Sequence, residues 1–152
     1  MDYDVVIVGA GPAGIFAALE LAKVDGLRVC IFDRGPDIGR RDRRRSMLSG
    51  WGGAGAFSDG KLTLSPEVGG QLADLLPQSD VRGLLREVDE MWETYTGPLR
   101  TYGAESDAVA SIGRQAQKAG LRLVHSKVRH MGTEVCPRVL TRMRSAVSDS
   151  LN

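Results

Sequence analysis

The sequence predicts an α/β fold that opens with a Rossmann-like βαβ unit, because five features follow one another over residues 4–33. Four β-branched residues at 5–8 are typical of a strand that is buried on both faces of a sheet. A glycine-rich turn and an apolar stripe at helical spacing come next, and a second apolar run at 29–32 ends in Asp33. The stripe consists of Ile15, Ala18, Leu19 and Ala22. This order of elements is that of a unit that binds the ADP half of a dinucleotide.

The glycine-rich turn gives each part of that unit a physical role. Gly9 allows a tight turn, Gly11 lets a pyrophosphate approach the backbone, and Gly14 lets the helix lie close to the sheet. Pro12 falls near the first helical position, where its missing N–H costs nothing. The free N–H groups and the positive dipole end of the helix would point at the phosphates. The carboxylate of Asp33 could then accept hydrogen bonds from the adenosine ribose.

Composition and charge exclude several classes of protein. A chain of 152 residues with a net charge of +1 fits one domain and has no bias toward nucleic acid or anionic membranes. No apolar run approaches the roughly 18 residues of a membrane span, and a strand that starts by residue 4 leaves no room for a signal peptide. We therefore expect a cytoplasmic protein. Cys30 and Cys136 form no CxxC motif, which disfavours a disulfide framework, a zinc site and a dithiol reductase.

A basic run, RRDRRR at 40–45, follows the second predicted strand. The simplest interpretation is a solvated basic surface. The alternative is that one or two of these arginines reach a cofactor phosphate or an acidic substrate. No aromatic residues are interleaved with the run, which disfavours a nucleic-acid interface.

A second glycine-rich segment occupies residues 50–60, and we call it the glycine-rich block. Glycine is used where the backbone takes a positive φ or approaches a ligand closely. The small Ala54 and Ala56 would let this segment lie flat against a planar ring, and Ser58 could reach a ligand. Trp51 and Phe57 argue against a solvated linker. Its glycines are Gly50, Gly52, Gly53, Gly55 and Gly60, and two further polar candidates are Asp59 and Lys61.

The second half of the chain is predicted to be mostly helical. One helix starts at Ser79 or Asp80 and stops at Gly97, a second starts at Ser106 or Asp107, and a third starts at Thr133 or Cys136. Their predicted core stripes are Val81, Leu84, Leu85, Val88, Trp92 and Tyr95; Val109, Ile112, Ala116 and Ala119; and Val139, Leu140, Met143, Ala146 and Val147. Alternation over Leu121–Val128 predicts a strand. His125 and His130 have no acidic partner at a telling spacing, so neither is nominated as a catalyst.

A complete nucleotide-binding half would need a strand after the last helix. We therefore expect the chain to be the amino-terminal portion of a longer protein. The alternative is a complete small domain in which Leu121–Val128 serves as the third parallel strand.

The chain resembles the FAD-dependent oxidoreductases that have a glutathione-reductase-like FAD domain, through the segments VVIVGAGPAGIFAALELA and IFDRG. A narrower resemblance, to the uncharacterised bacterial and archaeal FAD-dependent dehydrogenases, rests on GWGGAGAFSDGKLTL and on YGAESDAV with VRHMGTEVCPRVLTRM. It implies the amino-terminal portion of one FAD-binding domain. That portion divides into a dinucleotide unit at 1–35, a cofactor loop at 36–70, a helical insert with one strand at 71–132 and the start of a return helix at 133–152.

The resemblance also implies a binding site and an activity. Asp33 would bind the ribose and Arg34 would lie beside the adenosine, while hydride would pass through FAD to or from an unidentified substrate or NAD(P)H. No catalytic residue or metal ligand is nominated. The implied pyrophosphate contacts are Gly9, Gly11, Pro12, Ala13 and Gly14, and the implied path toward the flavin is lined by Gly52, Gly53, Ala54, Gly55, Ala56, Phe57 and Ser58.

Three alternatives stay open. An NAD(P)-binding dehydrogenase domain would share the fingerprint, although the glycine-rich block disfavours it; Asp33 argues against a 2′-phosphate and Arg34 weakens that argument. A truncated, non-catalytic fragment is the second alternative. The third is a thiazole-biosynthesis-like enzyme, which has a similar glycine-rich loop but fits the helical segment 80–147 less well.

Overall fold

The computed structural model describes residues 2–150, with side chains described through residue 148. Its regular elements are β1 (Val5–Val8), α1 (Pro12–Leu21), β2 (Val29–Phe32), β3 (Lys61–Thr63), α2 (Leu72–Leu75), α3 (Gln78–Thr96), β4 (Thr101–Tyr102), α4 (Asp107–Lys118), β5 (Val128–His130) and α5 (Cys136–Ser150). Short 3₁₀ helices cover Ile38–Arg40 and Gly53–Phe57. The chain forms two compact units, a first unit of residues up to 60 together with those from 131 onward, and a second unit of residues 61–130.

The first unit contains the predicted βαβ crossover. Strands β1 and β2 pair in parallel, from Val5 opposite Val29 to Val8 opposite Phe32, and α1 connects them. Helix α1 begins at Pro12 and buries Ile15, Ala18 and Leu19 of the predicted stripe. The βαβ unit predicted from the sequence is therefore confirmed. The fold is mixed α/β and contains a partial Rossmann-like unit.

Helix α5 supplies most of the remaining core of the first unit. Its buried residues, each no more than 4% exposed, are Cys136, Val139, Met143 and Val147. It packs against α1 and against the 3₁₀ helix at 53–57. Trp51 is buried beside it and donates its indole N–H to the carbonyl of Leu140 at 2.9 Å. The predicted packing of Trp51 is confirmed, and so is the predicted α5 stripe at Val139, Met143 and Val147, whereas Leu140 and Ala146 are half-buried.

The expectation that β1 is buried on both faces is wrong. Ile7 faces α1, but Val6, Val8 and Phe32 are 53%, 85% and 57% exposed. The sheet of the first unit has two strands among the described residues, and its helices leave that face open. An apolar run indicates a strand but does not reveal how many layers cover it. Cys30 in β2 is half-buried.

The second unit is built around an antiparallel sheet with the strand order β3-β5-β4. The cap predicted at Ser79 or Asp80 is wrong, because α3 begins at Gln78 and both residues lie inside its first turn. The helix ends at Thr96, directly before the predicted stop at Gly97, whose φ is +77°. The hydroxyl of Ser106 accepts a hydrogen bond from the backbone N–H of Val109 at 3.3 Å and so caps α4 as predicted. The end of α3 and the start of α4 therefore follow from local signals, whereas the start of α3 does not.

The predicted strand over Leu121–Val128 is wrong, because residues 121–127 have no regular structure and β5 begins only at Val128. Leu121 and Val124 are 66% and 42% exposed, so the alternation does not reflect a buried face. Because β5 pairs antiparallel with β3 and β4, it is not a third parallel strand either. The region 71–132 accordingly holds two strands rather than one.

The stripe predicted for α4 is also not buried. Ile112 is 54% exposed, and α4, which the structure describes in full, has no buried residue. Helical periodicity identified the helix, but its apolar side is only partly covered, since Val109 and Ala116 are half-buried and Ala119 is exposed.

Candidate functional site

The fingerprint loop, residues 9–14, has the geometry that its glycines predict. Gly9 has a φ of +106° and donates its N–H to the carbonyl of Phe32 at 2.7 Å. A Cβ at Gly14 would lie 1.9 Å from the carbonyl oxygen of Gly9, so only glycine fits where α1 approaches β1. A Cβ at Gly11 would meet nothing within 4 Å. The loop therefore needs Gly9 for its positive φ and Gly14 for close packing, and it is open to a ligand at Gly11.

The amino terminus of α1 opens onto the same space. Gly11 precedes the helix, Pro12 is its first residue, and no described side chain caps it. The first N–H groups of a helix lack intrahelical acceptors and carry a partial positive charge. Pro12 and Ala13 are exposed, so this end of α1 presents donors rather than acceptors to an approaching group.

The structure brings the glycine-rich block onto the fingerprint loop. The N–H of Gly52 donates to the carbonyl of Ala10 at 2.7 Å. A Cβ at Gly53 would lie 3.2 Å from the Cα of Gly11, which indicates close backbone packing. The sequence order alone does not show that these two segments, more than 35 residues apart, meet.

The predicted residues of the block differ in exposure. Gly52 and Gly53 are buried, Ala54 and Gly55 are exposed, and Ser58 is also exposed. Ala56 is buried at 2% exposure, so its methyl group points into the core, and Phe57 is half-buried. The surface that the block presents to solvent is therefore formed by Ala54, Gly55, Ser58 and Asp59.

Asp33 joins three segments of the first unit through its carboxylate. Oδ2 accepts from the N–H of Ala10 at 2.8 Å, and Oδ1 accepts from the N–H groups of Gly35 at 2.8 Å and Gly50 at 2.6 Å. These backbone donors, that of Ala10 first, hold the pKa of the Asp33 carboxyl below its usual value. An ionised carboxylate has about four acceptor positions, so one further donor can be accommodated. Sequence reasoning assigned Asp33 a ribose and missed its three backbone partners.

Within the basic run, all of which is described, Arg41 alone is half-buried. Its Nη1 donates to the carbonyl of Trp51 at 2.7 Å, and its Nη2 donates to those of Gly53 at 2.8 Å and Met47 at 3.1 Å. The guanidinium lies 4.9 Å from the centre of the Phe57 ring. Burial lowers the pKa of Arg41. Nothing in the spacing of the run distinguishes Arg41, so this inward orientation was missed.

The other arginines near the site are exposed. Arg40, Arg43, Arg44 and Arg45 form the solvated surface that was the simpler interpretation of the run. Arg34, the residue expected beside the adenosine, is exposed directly after β2.

A cavity of about 480 Å³ opens beside Asp33 in the first unit. Its polar walls come from the loop after β2 and from α5, where the Nε of Arg144 donates to Asp37 at 3.1 Å. The Arg144 guanidinium also lies 5.5 Å from the centre of the buried Trp51 ring. This volume is within the range of small-molecule sites. No sequence pattern indicates that α5 contributes a wall to this cavity.

The described residues were also compared with the requirements of a metal site, of a disulfide and of a membrane span. No three His, Cys, Asp or Glu residues in that range lie close enough to hold a metal ion. Both cysteines are free, and burial raises the pKa of Cys136, whose thiol faces the carbonyls of Gly132 and Ser58. None of the described helices is both long and apolar enough to span a bilayer.

A parallel βαβ unit whose glycine turn, following loop and carboxylate converge in this way is the arrangement of a dinucleotide-binding fold. Residues 4–95, more than half of the chain, match the family described as FAD dependent oxidoreductase. The chain belongs to this family, and FAD is the family's cofactor.

Individual relatives are similar to shorter or longer parts of the chain. A protein of Clostridium beijerinckii described as uncharacterised is 49% identical over 71 residues, which are 38% of this chain and 13% of that protein. The mitochondrial electron transfer flavoprotein-ubiquinone oxidoreductase of Oryza sativa subsp. japonica is 46% identical over 44 residues, 26% of this chain and 8% of the enzyme. A thiamine thiazole synthase of Saccharolobus islandicus is 32% identical over 126 residues, 82% of this chain and 38% of the synthase.

The matches cover between 8% and 38% of the lengths of these relatives. No solved structure matches the chain.

Proposed function

We propose that this chain is the FAD-binding portion of a flavin-dependent oxidoreductase, and that it is the amino-terminal portion of one FAD-binding domain. The observation that carries the proposal is the convergence of the fingerprint loop, the glycine-rich block and Asp33 in the first unit. Family membership supports the cofactor, and this convergence supports the place where it binds.

The residues present fit the ADP half of FAD. The empty space beside Gly11 is what a pyrophosphate needs in order to approach the backbone, and the α1 amino terminus supplies unpaired donors next to it. We assign the pyrophosphate contacts to Gly9, Gly11, Pro12, Ala13 and Gly14. The remaining acceptor position of Asp33 suits one ribose hydroxyl, and the adjoining cavity has room for the nucleoside.

The flavin half would extend along the glycine-rich block. We place it against the solvent-facing side of Gly52–Ser58, where the small residues Ala54 and Gly55 are exposed and allow a flat group to approach. The exposed Arg34 would lie near the adenosine. When bound, FAD supplies hydride transfer, and the residues of this chain bind and orient it. The substrate and electron partner stay unassigned.

A second candidate is an enzyme of the thiamine thiazole synthase type. The supporting observation is the share of the chain that is matched. The similarity to the thiamine thiazole synthase extends over 82% of the chain, whereas the similarity to the electron transfer flavoprotein-ubiquinone oxidoreductase extends over 26%. The helical second half, which argued against this interpretation at the sequence level, therefore no longer separates the two candidates.

Flavin retention tests the proposal directly. The 152-residue chain would be mixed with excess FAD and passed through gel filtration, and we expect the flavin absorbance to co-elute with the protein. Gly11→Ala places a methyl group where it meets no protein atom, at a φ of −76° that alanine adopts readily, so the fold should persist while the phosphate is blocked. We expect its affinity for FAD to fall at least about tenfold, a loss of about 1.4 kcal/mol.

The matched control is Gly39→Ala, whose Cβ also meets no atom within 4 Å but lies outside the fingerprint loop. This variant should bind FAD as the wild type does. A wild-type chain that retains no flavin contradicts the proposal, and one that binds NAD tightly while remaining colourless supports the nicotinamide alternative instead.

A further inference from the structure

Arg41 contacts the glycine-rich block in a way that neither its charge nor the proposed cofactor contacts require. Three carbonyl oxygens, those of Met47, Trp51 and Gly53, accept hydrogen bonds from its two Nη atoms. The Phe57 ring covers the guanidinium at 4.9 Å. The side chain is thus turned inward, onto the backbone of the block, instead of outward like its neighbours in the basic run.

The contact with Trp51 determines the direction of the next N–H group. In a trans peptide, the C=O of one residue and the N–H of the following residue point in opposite directions. Since the Trp51 carbonyl points toward Arg41, the Gly52 N–H must point away from it. The Gly52 N–H donates to the carbonyl of Ala10 at 2.7 Å, and this hydrogen bond joins the glycine-rich block to the fingerprint loop.

We propose that Arg41 is a positioning residue that seats the glycine-rich block on the fingerprint loop by orienting the Trp51–Gly52 peptide. The same seating brings the Cα of Gly11 within 3.2 Å of a Cβ built at Gly53. Asp33 fixes the start of the block from the other side, through its hydrogen bond to the Gly50 N–H at 2.6 Å. Arg41 therefore acts on the cofactor site through the peptide and not through contact with a phosphate.

The geometry requires arginine in particular. A guanidinium is a planar fork with several fixed donors, whereas the lysine ammonium is a compact point charge that makes no planar stack. The Nε of Arg41 is buried and has no hydrogen-bond partner among the described residues. The orientation of the side chain is hence set by the carbonyls and by Phe57, and a lysine would reproduce the charge but not this set of contacts.

The consequence for FAD rests on the proposed function, so the test measures the seating and the cofactor separately. Amide hydrogen exchange at Gly52 would be followed by NMR in the cofactor-free chain, and the Kd for FAD would be measured by titration. The variants are Arg41→Ala and Arg41→Lys, with Arg43→Ala as the control because Arg43 lies in the same basic run and is exposed.

We expect both Arg41 variants to speed exchange at Gly52 about tenfold or more and to raise the Kd for FAD by a similar factor, since each loses hydrogen bonds to a charged group. Arg43→Ala should change neither quantity. If Arg41→Ala does not fold, Arg41→Lys, which keeps the long stem and the charge, still tests the proposal.

Two results would overturn the proposal. One is unchanged exchange at Gly52 in Arg41→Lys, because the peptide would then not depend on the fork. The other is full recovery of FAD affinity by lysine, because a charge alone would then suffice. Faster exchange at Gly52 in a chain whose wild type binds no FAD would support the seating role while contradicting the proposed function.

Discussion

In the first unit Asp33 and Arg41 bond to the backbone of loops, whereas in the second unit Asp89 and Arg129 bond mainly to each other. The Asp33 carboxylate accepts three backbone N–H groups, and Arg41 donates to three carbonyls. Arg129 instead makes a two-point ion pair with Asp89, with one N–O distance of 3.0 Å, and adds the carbonyl of Leu99.

The two units differ in which backbone N–H and C=O groups lack a partner, and this explains the different partners of their charged side chains. A buried N–H or C=O without a partner costs about 1–3 kcal/mol, and the loops at 33–57 have no sheet to pair with. Charged side chains satisfy those groups in the first unit. In the second unit, the antiparallel ladder of β3, β5 and β4 already pairs the strands, so the charged groups are available to one another. In the glycine-rich part of this chain, the charged side chains of Asp33 and Arg41 therefore form hydrogen bonds with backbone groups that have no strand partner.

The largest effect should come from the tight packing of the fingerprint loop. Gly14→Ala would place a Cβ 1.9 Å from the Gly9 carbonyl oxygen, a backbone atom that cannot rotate away. We expect the free energy of unfolding to fall by more than about 3 kcal/mol in urea denaturation. The helical control in the second unit, Gly83→Ala, meets no atom within 4 Å and should gain about 0.8 kcal/mol. A Gly14→Ala chain as stable as the wild type would show that the loop is not so constrained.

The second prediction compares the apolar helices of the two units. Met143 on α5 is 1% exposed, and Met143→Ala should lower the free energy of unfolding by about 3 kcal/mol through the lost burial and the cavity left behind. Ile112 on α4 is 54% exposed, and Ile112→Ala should change it by less than about 0.5 kcal/mol. Thermal and urea unfolding of both variants would check this. Equal losses would mean that α4 is covered in solution.

The third prediction concerns Asp33 and pH. Asp33→Asn should lower the free energy of unfolding by about 2 kcal/mol at pH 7, because charge-assisted bonds to three N–H groups are weakened. The folded pKa of Asp33 is below its ordinary value of about 3.9. Its ionised form therefore stabilises the fold above that ordinary value, and this contribution is lost as the pH falls through the lower folded value.

The stability difference between the wild type and Asp33→Asn should thus be constant near neutrality and shrink below about pH 4. Asp4, whose pKa Arg28 lowers to about 2, titrates in both chains and cancels from the difference. The control is Asp37→Asn, an exposed member of an ion pair with Arg144, which should cost less than about 1 kcal/mol. A difference that does not change with pH would contradict the role of the Asp33 charge.

The smallest effect is expected from the charge pair of the second unit. A double-mutant cycle of Arg129→Leu and Asp89→Asn should give a coupling energy of about 1 kcal/mol, because the two side chains are only 14% and 21% exposed. The exposed pair of Arg122 and Glu67 should give almost none, since its side chains are 81% and 55% exposed. If both cycles gave the same value, burial would not be what distinguishes the two pairs.

Local sequence signals predicted the elements whose causes are local. The positive φ of Gly9, the close approach of Gly14 to Gly9, the cap at Ser106 and the stop at Gly97 all depend on residues within a few positions of one another. The prediction of a strand over Leu121–Val128 was wrong, because an alternating pattern forms a strand only where a partner strand lies beside it. The ligand roles of the site residues stay predictions.

A glycine turn, a helix and an acidic residue at dinucleotide-binding spacing can be predicted from the sequence alone. The contacts of the side chains require the folded chain: Asp33 accepts from Ala10 and Gly50, Arg41 faces inward, and α5 forms a wall of the cavity. The physical reason is the separation along the chain of the residues that interact. Backbone conformation and helical spacing are set by neighbouring residues, whereas the partner of a buried charge is set by whichever unpaired backbone groups the folded chain brings beside it.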